Sequence, residues 1–294
     1  MHWIDDFRGK ILNQEPMAMH TWFQLGGNAE YFAEPETPTE LAAMVRRCEE
    51  ENVPLRILGG GSNILVREAG VSGLVLHLSE NLTPGPRVEE NRIRVGGSIP
   101  LGHLVTSAVR AGLGGLEELI GIPGTVGGAL RGNAGTNSVD MGQHLKSVLV
   151  MRGNGEISEK TAADLAFGYR QSSLDGSIIL EAEFELREEP PVELARQMQK
   201  LWILRKSAQP MGHQCSGRIF RNPVESGSNA SEIIEMAGLK GTRLGGAVVC
   251  ERQANFIVTE PECTPSDILR LIDLIREQVF KRFGVELETE IEIW

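Results

Sequence analysis

Hydrophobic positions recur with two different periods along the chain, and the change between these periods predicts a mixture of helices and strands. Residues 41–45 and 101–112 place apolar side chains three and four positions apart, which is the spacing of one helical face. Residues 73–78 and 178–186 are short apolar runs of the kind that forms strands. The pattern therefore predicts an α+β protein.

Two segments carry the sequence signal for the start of a helix. Thr37 precedes Pro38, and Glu40 stands at the position that completes a capping box with the threonine. Thr264 repeats this arrangement before a second helix. We predict that this helix ends at Gly284, because glycine readily adopts the left-handed conformation that closes many helices.

The remaining elements are predicted in the same way. We expect a short helix or arm at residues 1–15, helices at 192–206 and 231–237, and strands at 20–29, 53–58, 64–66, 92–97, 147–151, 216–223 (with a turn) and 253–259. A last strand is predicted at residues 285–293. Its alternating glutamates would share one solvated face, because side chains two apart in a strand point the same way.

The glycine stretch LGGGSNIL is the first candidate binding segment. Gly59, Gly60 and Gly61 permit backbone conformations that other residues resist, and Ser62 and Asn63 add short polar groups. A glycine turn between two strands would gather several backbone N–H groups on one concave surface, which suits a pyrophosphate. An ordinary tight turn explains the pattern equally well. The segment has neither the lysine of a P-loop nor the GxGxxG opening of a Rossmann site.

Residues 121–135, GIPGTVGGALRGNAG, form the second candidate segment. Its glycines are interleaved with apolar residues such as Ile122 and Val126, whereas a flexible linker would be polar and rich in serine. We therefore predict a tightly packed backbone that contacts a flat or phosphorylated ligand.

Composition narrows the range of partners. The net charge of -11 over 294 residues argues against a nucleic-acid partner, which requires a basic face. The four cysteines are widely separated, which indicates reduced thiols of a cytoplasmic protein and no zinc site. The first residues lack the apolar core of a signal peptide, and no run of 18 apolar residues predicts a membrane span. We expect a cytoplasmic protein without a membrane partner.

The chain divides where its composition changes. The acidic and proline-rich residues 188–191 separate a glycine-rich region from a helix that carries several basic residues. We expect three domains, at residues 1–72, 73–188 and 189–294.

A few side chains outside the glycine segments could take part in chemistry. Arg218, Arg221 and Asn222 in the stretch SGRIFRNP could form an anion pocket, although an ordinary basic turn has the same composition. The adjacent Tyr169 and Arg170 are, as a pair, more often a surface feature. No nucleophile and base occur with a recognisable spacing, so acyl transfer has no support in the sequence.

Eight motifs taken together are more specific than any one of them. In order along the chain they read HTWFQLGGNA, LGGGSNILV, GLEELIGIPGTVGGALRGNAG, FGYRQSS, GRIFRNP, EMAGLKG, QANFIV and LETEI. This series resembles the UDP-N-acetylenolpyruvoylglucosamine reductase family over residues 19–291. The stretch from Tyr169 continues without the insertion of the longer family form, so the chain resembles the shorter, type II form.

The resemblance implies a fold and a reaction. The fold would be a two-part FAD-binding unit of the vanillyl-alcohol-oxidase and p-cresol-methylhydroxylase type, followed by a C-terminal α/β domain that binds the substrate. NADPH would reduce the FAD, and the enolpyruvyl ether of UDP-N-acetylglucosamine would be reduced to UDP-N-acetylmuramate for peptidoglycan synthesis. The last strand would carry Glu290 back to the active site. We expect a monomer, because the sequence shows no obvious exposed apolar helix face.

The family's site residues carry over to matching positions. Arg170 would stabilise an enolate, and Glu290 would polarise the substrate carboxylate or pass a proton. Arg218 occupies the position of the family's proton-donating serine. That departure leaves two alternatives open, namely a different anionic substrate on the same fold, or a flavin-binding protein with impaired turnover. The cofactor-binding positions are Gly59, Gly60, Gly61, Ser62, Asn63, Ile122, Pro123, Gly124, Thr125, Gly127, Gly128, Asn133, Ala134 and Gly135, and the substrate-binding positions are Tyr169, Arg221 and Asn222.

Overall fold

The secondary structure is taken from a computed structural model, which describes Phe7 and residues 9–210, 215–223 and 227–294. The helices are α1 (Pro38–Glu50), α2 (Leu101–Arg110), α3 (Val126–Arg131), α4 (Pro191–Ala208), α5 (Ala230–Met236) and α6 (Pro265–Phe283). In the described residues, no helix is long and apolar enough to cross a membrane.

The described residues also form eighteen strands. They are β1 (Ile11–Pro16), β2 (Asn28–Ala33), β3 (Leu55–Leu58), β4 (Ile64–Leu65), β5 (Val71–His77), β6 (Arg87–Glu89), β7 (Arg92–Gly96), β8 (Leu113–Gly114), β9 (Leu145–Met151), β10 (Ile157–Thr161), β11 (Phe167–Gly168), β12 (Gln171–Ser172), β13 (Ile178–Glu185), β14 (Arg187–Glu188), β15 (Arg243–Leu244), β16 (Ala247–Val249), β17 (Ile257–Thr259) and β18 (Glu292–Ile293).

The chain folds into two compact units, each assembled from separate stretches of sequence. The first unit contains Met1–Asn13, Tyr31–Gly60 and Ser72–Leu204. The second unit contains Gln14–Glu30, Gly61–Val71 and Arg205–Trp294. The boundary between Gly60 and Gly61 falls inside the first glycine segment.

The first unit contains a five-stranded antiparallel sheet with the strand order β10-β9-β13-β7-β6. Ala182 and Phe184 on β13 point into a core that also contains the buried face of α2. On the other side of the same strand, the carboxylate of Glu183 forms ion pairs with Arg94 on β7 and Lys146 on β9. The period of two in the sequence thus separates an apolar face from a charged face.

A second core in the first unit lies between α1 and the parallel pair of β3 and β5. The register of this pair runs from Leu55 opposite Leu74 to Leu58 opposite His77. Helix α1 buries the apolar face that its spacing predicts, and its members are Leu41, Ala42, Met44, Val45 and Cys48. The predicted helix and strands of this region are confirmed.

The second unit is built on the antiparallel sheet β15-β16-β17 and on helices α5 and α6. The predicted capping box of α6 is present, because the Thr264 side chain accepts from the Asp267 amide at 3.1 Å and the Thr264 amide donates to Asp267 at 3.0 Å. The helix ends at Gly284, whose φ is +68°. Both predicted ends of this helix are confirmed.

The predicted capping box of α1 is only half correct. The Thr37 side chain accepts from the Glu40 amide at 3.1 Å. The Glu40 carboxylate does not return to Thr37, because it accepts from the amide of Glu36 at 3.1 Å and pairs with Lys10 at 2.6 Å.

The elements of the N-terminal region lie at other residues than predicted. Residues 1–6 and 8 lie outside the described residues, and β1 occupies residues that were expected to form a helix or arm. The strand expected at residues 20–29 occurs later, as β2. The Trp22 amide donates to the carbonyl of the distant residue Gly61 at 3.0 Å, and the chain turns through Gly26, whose φ is +127°.

The predicted strands of the second unit are shortened. The prediction of a strand over residues 285–293 is wrong, because only β18 is a strand there. Residues 216–223 form no regular strand either, and make an isolated bridge between Phe220 and Thr289. The glutamates do not share one solvated face, since Glu286 and Glu288 are exposed whereas Glu290 and Glu292 are half-buried. The strand predicted at 253–259 is reduced to β17.

The four cysteines remain free thiols and are all buried, with no more than 7% of any one exposed. Burial raises the pKa of Cys48 to about 11 and, with a smaller contribution from nearby Asp267, raises the pKa of Cys263 to about 11. Burial also raises the pKa of Cys215. Because the thiolate is the reactive species, these thiols should be inert in the folded protein.

We therefore predict that a disulfide reagent such as Ellman's reagent releases almost no colour from the native protein at pH 8. After denaturation, all four cysteine thiols should react. Rapid reaction of Cys48 or Cys263 in the native protein would contradict the buried environments described above.

Candidate active site

The two glycine segments meet in the first unit. A Cβ atom on Gly60 would lie 3.1 Å from the Cα of Gly124, and one on Gly59 would lie 2.7 Å from Oγ1 of Thr125. The amides of Gly60, Gly124 and Thr125 donate no hydrogen bond to the described part of the chain. These unbonded donors on two adjacent backbones fit the diphosphate of a dinucleotide cofactor, because neighbouring backbone N–H groups bind anions.

The next residues of the first glycine segment have structural roles in the second unit. Gly61 has a φ of +62°, and a Cβ there would lie 2.0 Å from the carbonyl oxygen of His20. The Ser62 carbonyl accepts from the Gly217 amide at 3.1 Å. The tight-turn interpretation therefore accounts for Gly61 without a ligand, and a cofactor role for Gly61, Ser62 and Asn63 stays a prediction.

Residues 121–135 contain α3, which the sequence did not predict. Thr125 caps this helix by accepting from the Gly128 amide at 3.3 Å. A Cβ on Gly127 would lie 3.0 Å from the Gly97 carbonyl oxygen, so internal packing explains this glycine. Gly128 is different, because it is exposed and the nearest atom to its Cβ position is Oγ1 of Thr125 at 3.5 Å. Ile122 and the later Ala134 pack against the core, and Pro123 is half-buried.

Tyr169 and Arg170 form the turn between β11 and β12. Arg170 has a φ of +55°, which is uncommon for a residue with a side chain. Its guanidinium donates to the Gly135 carbonyl at 2.8 Å and to the Asn133 carbonyl at 3.4 Å. It also lies 5.4 Å from the centre of the Tyr169 ring. Arg170 is thus held by the end of the second glycine segment.

Asn133 completes the connection between that segment and the turn. It is buried, with a φ of +40°. Its side chain donates to the Gly168 carbonyl at 2.9 Å and accepts from the Gly142 amide at 3.0 Å. The structure therefore brings together Asn133, Gly135 and Arg170, which the sequence assigned to different tasks.

In the second unit, three distant segments exchange backbone hydrogen bonds around Glu290. The Glu290 amide donates to the Ile219 carbonyl at 2.7 Å, and the Glu290 carbonyl accepts from the Asn63 side chain at 3.1 Å. Further along, the Arg221 amide donates to the Glu288 carbonyl at 2.9 Å. Glu290 is therefore positioned through its main chain, and its partner Ile219 is the residue that follows Arg218.

The side chains of the segment GRIFRNP differ in their surroundings. Arg218 is half-buried and makes no hydrogen bond or ion pair to the described residues. The Nε atom of Arg221 is buried and has no acceptor among those residues. Oδ1 of Asn222 accepts from the Ala230 amide at 3.1 Å, so this side chain also supports the start of α5. The two guanidinium groups fit an anionic ligand.

Sequence reasoning missed one residue near this segment. Asn255 is 1% exposed and lies in an apolar run that the pattern assigned to a strand. The available signal was a single asparagine among buried hydrophobic residues, which requires a hydrogen-bond partner.

The sequence is similar to known proteins over nearly its whole length. Residues 209–294 match the family described as UDP-N-acetylenolpyruvoylglucosamine reductase, C-terminal domain, and residues 29–160 match the FAD binding domain family. The UDP-N-acetylenolpyruvoylglucosamine reductase of Heliobacterium modesticaldum is 40% identical over 290 residues, which cover 98% of this chain and 92% of that protein. The chain belongs to the UDP-N-acetylenolpyruvoylglucosamine reductase family.

Two other relatives agree with this assignment. UDP-N-acetylenolpyruvoylglucosamine reductase 2 of Symbiobacterium thermophilum is 40% identical over 288 residues, covering 97% of this chain and 92% of that protein. The crystal structure of the reductase (MurB) from Thermus caldophilus matches with a TM-score of 0.80 and 34% identity, over 97% of this chain and 98% of that chain. The predicted α+β fold, with an FAD-binding domain and a C-terminal family domain, is confirmed.

Gly128 provides a test of the cofactor surface that is separable from folding. We predict that Gly128→Leu lowers the FAD content of the purified protein, because the new side chain projects from an open surface beside Thr125. Stability should be little changed, since leucine is favoured over glycine in a helix by about 0.5–1 kcal/mol. Flavin absorbance per protein and the thermal midpoint are measured together.

The matched control is Gly153→Leu, at a turn glycine with no atom within 4 Å of its Cβ position. It should bind FAD as the unmodified protein does. Full FAD content in Gly128→Leu would remove Gly128 from the cofactor surface.

Proposed function

We propose that this chain catalyses the NADPH-dependent reduction of the enolpyruvyl ether of UDP-N-acetylglucosamine to UDP-N-acetylmuramate. The observation that carries the proposal is 40% identity to a reductase of that name over 98% of the chain. The reaction adds a hydride and a proton across a carbon–carbon double bond that is conjugated with a carboxylate. The product is the lactyl ether needed for peptidoglycan precursors.

FAD is the cofactor that this family membership brings, with NADPH as its reductant. When bound, FAD supplies the hydride that NADPH delivered to it. In our proposal the amides of Gly60, Gly124 and Thr125 hold its diphosphate. The short distance between these two backbones supports this, because a side chain on Gly60 would separate the donors.

Arg170 is proposed to stabilise the negative charge that hydride addition leaves on the substrate. An enolate conjugated with a carboxylate needs positive charge that is in place before the reaction. The carbonyls of Gly135 and Asn133 hold the guanidinium at two points, which supports this role. Tyr169 is proposed to contact substrate beside it.

The roles proposed for Arg218 and Glu290 concern the step in which a proton is added to complete the reaction. A guanidinium stays protonated at neutral pH and cannot accept a proton in return, so Arg218 is a poor replacement for a serine relay. We propose that Arg218 stabilises negative charge and that a water molecule delivers the proton. Glu290 polarises the carboxylate region or passes the proton, and Arg221 and Asn222 bind the anionic substrate.

Further features of the protein are also proposals. The three-domain division at 1–72, 73–188 and 189–294, the cytoplasmic location and the absence of a nucleic-acid partner follow from sequence and family. The expectation of a monomer has lost its original reason. Helix α4 exposes more than half of Val192, Ile203 and Leu204, so an apolar helix surface does exist.

The reaction is tested by following the flavin in two stages without oxygen. NADPH should bleach the flavin absorbance, and the enolpyruvyl UDP-sugar should restore it with formation of UDP-N-acetylmuramate. Flavin absorbance that is bleached by NADPH but not restored by this substrate would favour the alternative of a different anionic substrate. Protein that cannot be loaded with FAD would refute a flavoenzyme of either kind.

For Arg170, we predict that Arg170→Met leaves the bleaching by NADPH nearly intact and slows the reoxidation by substrate. Loss of one preorganised donor typically costs about 10²–10³ in rate. Arg170→Lys keeps the charge but not the two-point support, and should fall between the two. Arg110→Met, at an exposed arginine of α2, serves as the control. Normal reoxidation in Arg170→Met would show that this arginine only supports the turn.

For Arg218, we predict that Arg218→Ser is reoxidised faster than the unmodified protein, because a hydroxyl can relay a proton. General-acid catalysis typically contributes about 10²–10⁴ in rate. The comparison is made by stopped-flow in H₂O and D₂O, and the solvent isotope effect should change with the substitution. Fast reoxidation of the unmodified protein together with slower reoxidation of Arg218→Ser would mean that the arginine is a working part of the site and that turnover is not impaired.

A further inference from the structure

We propose that Asn255 is a positioning residue for the reaction, which fixes the segment of Arg218 and Arg221 in register with Glu290. This inference rests on the proposed function, because it assigns to that same site the residue that orders it. Asn255 itself is not proposed to touch substrate.

The side chain of Asn255 forms a two-point clamp on the backbone of Phe220. Oδ1 accepts from the Phe220 amide at 2.9 Å, and Nδ2 donates to the Phe220 carbonyl at 2.8 Å. The Asn255 carbonyl also accepts from the Ile219 amide at 3.0 Å. One fully buried residue thus replaces the neighbouring strand that residues 219–220 lack.

The opposite side of the same segment is bonded to the stretch that carries Glu290. The Ile219 carbonyl accepts from the Glu290 amide at 2.7 Å, and the Arg221 amide donates to the Glu288 carbonyl at 2.9 Å. Residues 219–221 are therefore held between Asn255 and residues 288–290. Because each bond is made by the main chain of the segment, the side chains of Arg218 and Arg221 remain available to a ligand.

The clamp is specific for asparagine. Only a carboxamide offers an acceptor and a donor side by side, as the exposed edge of a strand does. An apolar residue of similar size would leave the buried N–H and C=O of Phe220 without partners, and such groups must be satisfied. The segment would then shift or loosen, and a misplacement of about 1 Å can cost about 100-fold in rate.

The test compares Asn255→Leu with Thr264→Ala in the FAD-loaded protein. Thr264→Ala also removes a bond from a side chain to the backbone in the second unit, but it lies at the start of α6. In Asn255→Leu, we expect bleaching by NADPH to stay within about twofold. Reoxidation by the enolpyruvyl UDP-sugar should fall by about 10- to 100-fold, and UDP-N-acetylmuramate should bind about 10-fold more weakly.

A structural readout accompanies the kinetics. Hydrogen–deuterium exchange of peptides covering residues 215–223 should become faster in Asn255→Leu and stay unchanged in Thr264→Ala. If Asn255→Leu does not fold, Asn255→Ser, which keeps one polar group, is measured in the same way.

Three outcomes would overturn the proposal. One is unchanged product binding and reoxidation despite faster exchange, which would make Asn255 a structural support only. Another is an equal loss in Thr264→Ala, which would reflect lowered stability. If the unmodified protein itself is not reoxidised by the substrate, the proposed function fails separately. The clamp is then judged by UDP alone, and unchanged UDP binding in Asn255→Leu is the third outcome that overturns it.

Discussion

The contact on which the candidate site depends is the direct approach of one backbone to another, made possible by missing side chains. Gly59 and Gly60 lie so close to Gly124 and Thr125 that a Cβ atom on either glycine would meet the other segment. The amides of Gly60, Gly124 and Thr125 donate neither to each other nor to the rest of the described chain. A surface made of main-chain donors cannot collapse when a side chain changes its rotamer, so it is prepared for an anion in advance.

Hydrogen bonds with the main chain also position the two candidate catalytic residues, Arg170 and Glu290. Arg170 is oriented by carbonyl oxygens of residues 133–135, and Glu290 by the amide and carbonyl groups of its own backbone. The positions of both residues are thus set by backbone groups of neighbouring segments. Asn133 and Asn255 have parallel roles, because each is a buried carboxamide that bonds to the backbone of a segment distant in sequence. Amide side chains are suited to this task since each carries a donor and an acceptor.

The sequence predicted elements whose signals are local, and missed those that depend on distant partners. Both ends of α6 could be derived, because Thr264 and Gly284 act within one turn of the helix. The strand expected at residues 285–293 failed because its backbone bonds are divided between Asn63 and residues 219–221. No sequence pattern predicts the hairpin turn at Arg170, because the positive φ of this arginine is imposed by its surroundings. The glycine segments could be identified from composition. Only the structure shows which of these glycines are needed for packing and which leave an open surface.

The interlocked segments around Glu290 have a consequence for evolution. Residue 218 has neighbours on both sides whose backbones are fixed, while its own side chain supports nothing among the described residues. A substitution of this side chain therefore breaks no contact among the described residues and changes only what the position offers to a ligand. Evolution can therefore change the charge at residue 218 while the surrounding backbone is maintained.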